Sequence, residues 1–170
     1  MRRVRYLVAM SLDGYIAGPH GEFDWIRTDP EFDFGKLFRQ FDTLVAGRRT
    51  FEPMAAAGRT SMPGMKTIVV SKTLRPDDHP EVTIVPGIDP LKDLKAAPGK
   101  DIWLFGGGQL FRSLAGAGMV DTVEVSIQPV LLGSGIPLAP GLSTWTSLLL
   151  VNHTVHSSGA VSLEYTIRPG

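Results

Sequence analysis

Three short stretches of the chain combine backbone freedom, hydroxyl groups and cationic side chains in a way that suits an anion. Gly106-Gly107-Gly108 follows the apolar run 101–105 and leads into Gln109-Leu110-Phe111. Consecutive glycines let the backbone approach an anion closely, and a helix that starts there adds the positive end of its dipole. The same residues also make a tight strand-to-helix turn with no ligand. Gly47-Arg48-Arg49-Thr50 stands at the end of the apolar stretch 43–46. Two arginines at a helix start oppose the macrodipole, which favours acids there, and a bound anion would resolve the conflict; a solvated basic turn is the alternative. Ser71-Lys72 closes Lys66–Val70 with a hydroxyl and an ammonium, which fit a phosphate or an ordinary surface. Three such junctions together point to a ligand with more than one phosphate, such as a dinucleotide. The glycines do not form a Rossmann fingerprint: Phe111 stands where GxGxxG needs its third glycine, and the next strand ends near Ser126 instead of at a ribose-binding acid.

Other chemistry finds less support. No GxSxG, Walker A, HExxH or deaminase zinc pattern occurs. His153 and His156, three apart in a predicted strand, point to opposite faces and make a poor metal pair. Of the carboxylates, Glu31 and Asp33 lie close enough to the opening loop to reach a cleft. Beside Phe32 and Phe34 either one would be partly desolvated, as suits a proton donor, or it is a solvated acid favouring a helix start. Cysteine is absent, which excludes disulfides, thiol nucleophiles and cysteine metal sites. The 17 Lys+Arg balance 17 Asp+Glu, so no chain-wide field draws nucleic acid or an anionic membrane. Arg2, Arg3 and Arg5 precede only a short apolar run, and no stretch approaches the ~18 apolar residues of a membrane span. A soluble cytoplasmic protein is the expectation.

Glycine and proline contribute 19 + 13 = 32 of 170 residues, about 19% against an average of about 12%, so turns are densely specified. Between them the pattern predicts strands over 3–10, 43–46, 66–70, 82–85, 101–105 and 121–130. Helices are predicted over 30–41, with Asp29 as N-cap and Pro30 at N1, from about Thr50, from Asp89-Pro90 to about 97, and over 109–117. Residues 161–167 alternate apolar with polar after the turn Ser157-Ser158-Gly159, as in a C-terminal antiparallel hairpin. Short apolar strands alternating with helices imply one α/β domain over residues 1–170, its mixed, mostly parallel sheet of about eight strands flanked by helices.

Four segments, in order, resemble the dihydrofolate reductase superfamily, in the branch that includes the reductase domain of the riboflavin-biosynthesis deaminase-reductase. They are SLDGYIAG at 11–18, LVAGRRTFE at 44–52, IVVSK at 68–72, and FGGGQLF at 105–111 continuing to PVLLGSGIPL at 129–138. The resemblance implies a dihydrofolate reductase-like fold and an NADPH-dependent hydride transfer to a pterin or ribosylaminopyrimidine C=N bond, often by a homodimer. It assigns the pyrophosphate and 2′-phosphate to Gly47, Arg48, Arg49, Thr50, Ser71 and Lys72, and a second cradle to Gly106, Gly107, Gly108, Gln109 and Leu110. Ala9 and Ile16 match positions whose backbone pairs with the nicotinamide carboxamide. On the substrate side Glu31 stands near the folate-securing acid, with Asp33 as competitor, and Ser126 matches its partner hydroxyl. Ala139-Pro140 departs from the branch, which commonly has an aromatic there. A non-catalytic NADP-binding module and an interaction domain with merely structural glycine turns are the competing readings.

Overall fold

The computed structural model describes residues 1–168. Its main sheet starts with β1 (Val4–Ser11), whose side chains alternate between two apolar layers. A short β2 (Tyr15–Ala17) leaves that sheet and pairs antiparallel with β8 (Ile136–Pro137). Then follow α1 (Phe34–Phe38), β3 (Phe41–Gly47), α2 (Arg48–Ala56), β4 (Lys66–Val70), β5 (Thr83–Val85), α3 (Pro90–Ala96), β6 (Asp101–Gly106), α4 (Gly108–Gly116) and β7 (Thr122–Gln128). The chain closes with β9 (Leu148–Val155) and β10 (Val161–Ile167). The eight-stranded sheet has the order β5-β4-β3-β6-β1-β7-β10-β9. Its first six strands run parallel, and β10 and β9 are antiparallel additions. This is the mixed α/β architecture expected from the sequence. Among the described residues no helix is long and apolar enough to cross a membrane.

One face of the sheet buries Val4, Tyr6, Val45, Leu104 and Val125 against α3 and α4. The other buries Leu44, Ala46 and Trp103 with Leu37 of α1. Toward β7 and β10 this second face turns polar, because Thr122, Glu124, Ser126 and Gln128 share it with Arg5, Ala9 and Ser162.

Three boundaries differ from expectation. The helix over 30–41 shrinks to Phe34–Phe38, capped by Asp33, whose carboxylate accepts the N–H of Lys36 at 2.8 Å, not by Asp29. Phe41 fits the helical spacing equally well but opens β3, where it is 1% exposed. Burial in the sheet outweighs the weak propensity of a glycine-containing helix. The strand over 121–130 stops at Gln128, because Pro129 has no N–H for the ladder. The opening loop holds β2, which three residues of alternation were too short to announce.

The polar end of the second face is anchored by a buried ion pair. Nε and Nη2 of Arg5 donate to Oε1 and Oε2 of Glu124 at 2.7 and 2.6 Å, and Nη1 donates to Gln40 Oε1 at 2.6 Å. The Phe41 ring lies 4.7 Å from the guanidinium carbon. Burial works against this charge, but hydrogen bonds and charge from Glu124, with Asp101, outweigh it and hold the guanidinium above its ordinary pKa. Glu124→Ala therefore strands a buried cation and should cost about 3 kcal/mol in urea denaturation. Arg5→Met with Glu124→Leu should recover most of that loss; a double variant as unstable as the single one would show that the pair is not the cause.

Candidate active site

In a parallel sheet, ligands sit beyond the carboxyl ends of the strands. Here β4, β3 and β6 are consecutive, so the three glycine- and cation-bearing junctions lie side by side on one edge although they are far apart in sequence. Gly47 leads from β3 into α2 and Gly107 from β6 into α4, and neither helix has a side-chain N-cap. Their first N–H groups are thus left for another acceptor. The Thr50 hydroxyl lies 3.6 Å from where a Cβ on Gly107 would stand, so it faces the Gly106-Gly107 peptide, which is cis. Arg48 reaches Glu52 one turn on, at 3.1 Å, while Arg49 and Lys72 are exposed and have no ion-pair partner among the described residues. The Ser71 hydroxyl is buried and accepts the N–H of Thr73 and Leu74 at 3.2 and 3.0 Å, which shapes the turn and leaves its own proton to donate.

The three glycines have separate duties. Gly106 has φ +126°, which an L side chain rarely adopts. Gly108 is a packing glycine: a Cβ there would strike Pro140 and stand 2.8 Å from the Pro137 carbonyl oxygen. The side on which a Cβ would stand is filled by the segment 137–140, so any part that Gly108 takes in the cradle is through its backbone N–H at the start of α4. Leu110 is likewise buried, against Gly47, and Gln109 is exposed on the first turn of α4.

A slot lies next to this cradle. β1 pairs with β7 as far as Ser11 opposite Gln128, but with β6 only as far as Tyr6 opposite Leu104. The carbonyl of Arg3 faces β6 and accepts Ile102 N–H. Strand groups alternate in side, so those of Leu7 and Ala9 face β6 as well. The Trp103 indole N–H takes the Leu7 carbonyl at 2.9 Å. Ala9 comes next and turns its N–H and C=O into the slot where β6 has departed.

The opening loop closes over this edge. Ile16 is half-buried in the middle of β2. Leu12 N–H donates to the Val130 carbonyl and Leu138 N–H to the Gly14 carbonyl. The Asp13 carboxylate accepts the Ser11 hydroxyl at 2.7 Å and the N–H groups of Leu132 and Gly133 at 3.1 and 2.7 Å. The Ser11 bond, then these amides, pull its pKa down to about 2.

On the substrate side the expected residues separate. Ser126 is half-buried on the polar face, opposite Ala9 on β1 and Ser162 on β10, and accepts from Gln128 Nε2 at 3.1 Å. Glu31 is exposed and accepts the Ser157 hydroxyl at 3.1 Å, and Asp33 is spent on the α1 cap. Sequence reasoning missed Asp29. It is buried, accepts Glu31 N–H at 2.9 Å and the Ser158 hydroxyl at 3.1 Å, and lies 3.7 Å from Nδ1 of His156. His156 stands past the end of β9, not within it, so the opposite-face rule does not govern it.

The sheet order and the two antiparallel C-terminal strands make a dihydrofolate reductase-like fold. A family model described as the RibD C-terminal domain matches residues 2–162, and the chain belongs to that family. Among curated proteins, the uncharacterized protein YyaP of Bacillus subtilis (strain 168) is 35% identical over 177 residues, covering 96% of this chain and 94% of YyaP. The crystal structure of a putative riboflavin biosynthesis protein from Shewanella sp. PV-4 matches with TM-score 0.84 and 25% identity, over 99% of this chain and all of that one. Dihydrofolate reductase from Enterococcus faecalis, complexed with NADP(H) and RAB-propyl, matches with TM-score 0.69 and 20% identity, over 98% of this chain and 97% of that one. At that identity the likeness shows the fold.

The Asp13 clamp carries a pH signature. Its pKa is depressed in the folded chain, so it stabilises the closed loop above the ordinary carboxylate value near ~3.9 and loses hold as pH falls through about 2. In an acid titration followed by NMR, the Leu132 and Gly133 amides should therefore move with a midpoint of about 2. A midpoint near ~4 would mean that the clamp does not form.

Proposed function

We propose that the protein is an NADPH-dependent reductase that transfers hydride to the C=N bond of a planar heterocycle, a pterin or a ribosylaminopyrimidine. The observation that carries this reading is the single edge on which uncapped helix starts, two free cations and the Ala9 slot lie in strand order. These groups suit NADPH. The N–H groups at Gly47 and Gly107 with the Thr50 hydroxyl would hold the pyrophosphate. Arg49, Ser71 and Lys72 would hold the 2′-phosphate, with Arg48 kept in place by Glu52. Ala9 and, from the loop, Ile16 would pair with the carboxamide through their backbones. When bound, the cofactor supplies the hydride from C4 of its nicotinamide. The chain orients the rings, excludes water with the loop over residues 11–25 and offers the Ser126 hydroxyl to the substrate. The similarity to the E. faecalis dihydrofolate reductase complexed with NADP(H) and to the putative riboflavin biosynthesis protein of Shewanella supports both halves of the reading.

A guanidinium on a phosphate makes a charge-assisted contact of about 1.5–3 kcal/mol. Arg49→Ala should accordingly weaken NADPH by about one to two decades in isothermal titration and leave NADH nearly unchanged. Equal losses would remove Arg49 from the 2′-phosphate site, and a wild type that binds neither dinucleotide would overturn the reading. Binding with no oxidation of NADPH by dihydrofolate or a ribosylaminopyrimidine phosphate would favour the non-catalytic module.

The same reading takes the protein as a homodimer joined along β9. That strand is the edge of the sheet and is exposed along its whole length. Leu149, Leu150 and Val151 are 45–50% exposed, and Val155 73%. A long apolar edge is a hazard in a monomer and a ready antiparallel seam across a twofold axis. Sedimentation should show a two-chain particle that Leu149→Lys with Val151→Lys converts to single chains. A wild type that sediments as one chain at micromolar concentration would sink the assignment.

A further inference from the structure

The turn between β9 and β10 carries a polar chain that the cofactor edge does not use. Nε2 of His156 lies 2.7 Å from Oγ of Ser162, and its Nδ1 lies 3.7 Å from Oδ2 of Asp29, within ion-pair reach when the ring is protonated. The turn holds the ring in place, since His156 N–H donates to the Ala160 carbonyl and its own carbonyl accepts from Gly159. The Phe32 ring flanks the imidazole at 6.1 Å between centroids. Asp29 is fixed in turn by Ser158 and the Glu31 amide. Ser162 stands in register with Ser126, and Ser126 with Ala9, so the three form one row across β10, β7 and β1. Neighbouring strands are about 4.8 Å apart, which puts the Ser162 hydroxyl one step from Ser126.

The Asp29 carboxylate, at 3.7 Å and thus acting by its charge and not by a hydrogen bond, favours the ring proton on Nδ1 and leaves Nε2 to exchange a proton with the hydroxyl. Glu31 and Asp33 are exposed and committed to Ser157 and to the α1 cap, so neither supplies the row. The geometry points to Asp29, His156 and Ser162 as the proton-delivery chain of the reductase, an inference that rests on the hydride-transfer reading above. As the C=N carbon takes the hydride, the Ser162 hydroxyl proton passes to the nitrogen and the Nε2 proton of the imidazolium passes to Ser162 Oγ. The two electrons come from the dihydronicotinamide, which is left oxidised. His156 becomes neutral and regains its proton from water at its exposed edge. Ser162 touches the substrate in this scheme, while Asp29 and His156 are positioning and relay residues.

The test uses the full chain with NADPH, and dihydrofolate or a ribosylaminopyrimidine phosphate as substrate. General acid catalysis contributes about 10²–10⁴-fold, so His156→Gln should lower kcat by about 100-fold with KM and NADPH affinity within about threefold. Ser162→Ala, which removes a single oxygen, serves as the second variant and should lower kcat at least about tenfold. A readout independent of turnover is the nitrogen-15 NMR spectrum of His156 in the ligand-free protein. It should show the Nδ1–H tautomer in wild type and lose that preference in Asp29→Asn. Wild-type kcat in both His156→Gln and Ser162→Ala, or a tautomer that ignores Asp29→Asn, overturns the chain alone. A wild type that oxidises NADPH with neither substrate overturns the reductase reading itself.

Discussion

The site depends on the parting of β1 from β6. In the middle of a parallel sheet every backbone group is normally taken by a neighbour, and an unpaired buried N–H or C=O is costly. Here β6 leaves β1 after Leu104 and stays with β3, opposite Ala46, by way of the positive φ of Gly106. The Trp103 indole covers the first carbonyl so exposed, that of Leu7. The next pair, on Ala9, has only the slot before it. A planar amide presents one donor and one acceptor side by side, which is the complement of such a strand residue. The opening thus sets both the place and the chemistry of the ligand end that it admits.

The opposite face keeps this opening from collapsing. Tyr6 stacks on Phe111 of α4 with ring centroids 4.2 Å apart, and its hydroxyl donates to the Leu138 carbonyl at 2.9 Å. Segment 137–140 in turn fills the space beside Gly108 and pairs through Leu138 with Gly14 of the opening loop. Cradle, sheet and loop are therefore connected through residues that touch no ligand. Burial holds the Tyr6 phenol well above its ordinary pKa, so it is a neutral donor at neutral pH.

Much of this arrangement was legible in the sequence. Glycines, hydroxyls and cations at strand ends are local signals, and once the strands are parallel and ordered β4-β3-β6 the junctions have to meet. The sequence reading failed where contacts join distant segments. Asp29 read as a helix cap because Pro30 follows it; its carboxylate is instead claimed by the Glu31 amide and by Ser158, far along the chain. His156 read as a strand residue because nothing local marks Val155 as the end of β9, one residue before the turn. Nothing local marks Pro140 as the neighbour that packs against Gly108. Glycine types mark where a backbone turns or is approached closely, but not what approaches it.

A balanced net charge hides a graded field along the edge. Arg48, Arg49 and Lys72 gather at the ends of β3 and β4, whereas Asp29 and Glu31 meet the β9–β10 turn beyond β7. Arg48 is partly neutralised by Glu52, which leaves Arg49 and Lys72 to act on a ligand. From β4 to β10, where that turn enters the sheet, there are five steps of about 4.8 Å, so the poles stand about 24 Å apart. At that range free charges are screened by salt, and each pole acts on whatever lies against it. The cationic end suits an anionic group, and the acidic end suits a neutral or proton-accepting one. A ligand that is polyphosphate at one end and uncharged at the other is oriented by the contact that each end makes with its pole. A molecule of uniform charge matches only one of the two poles, which separates a two-ended site from a general anion-binding edge.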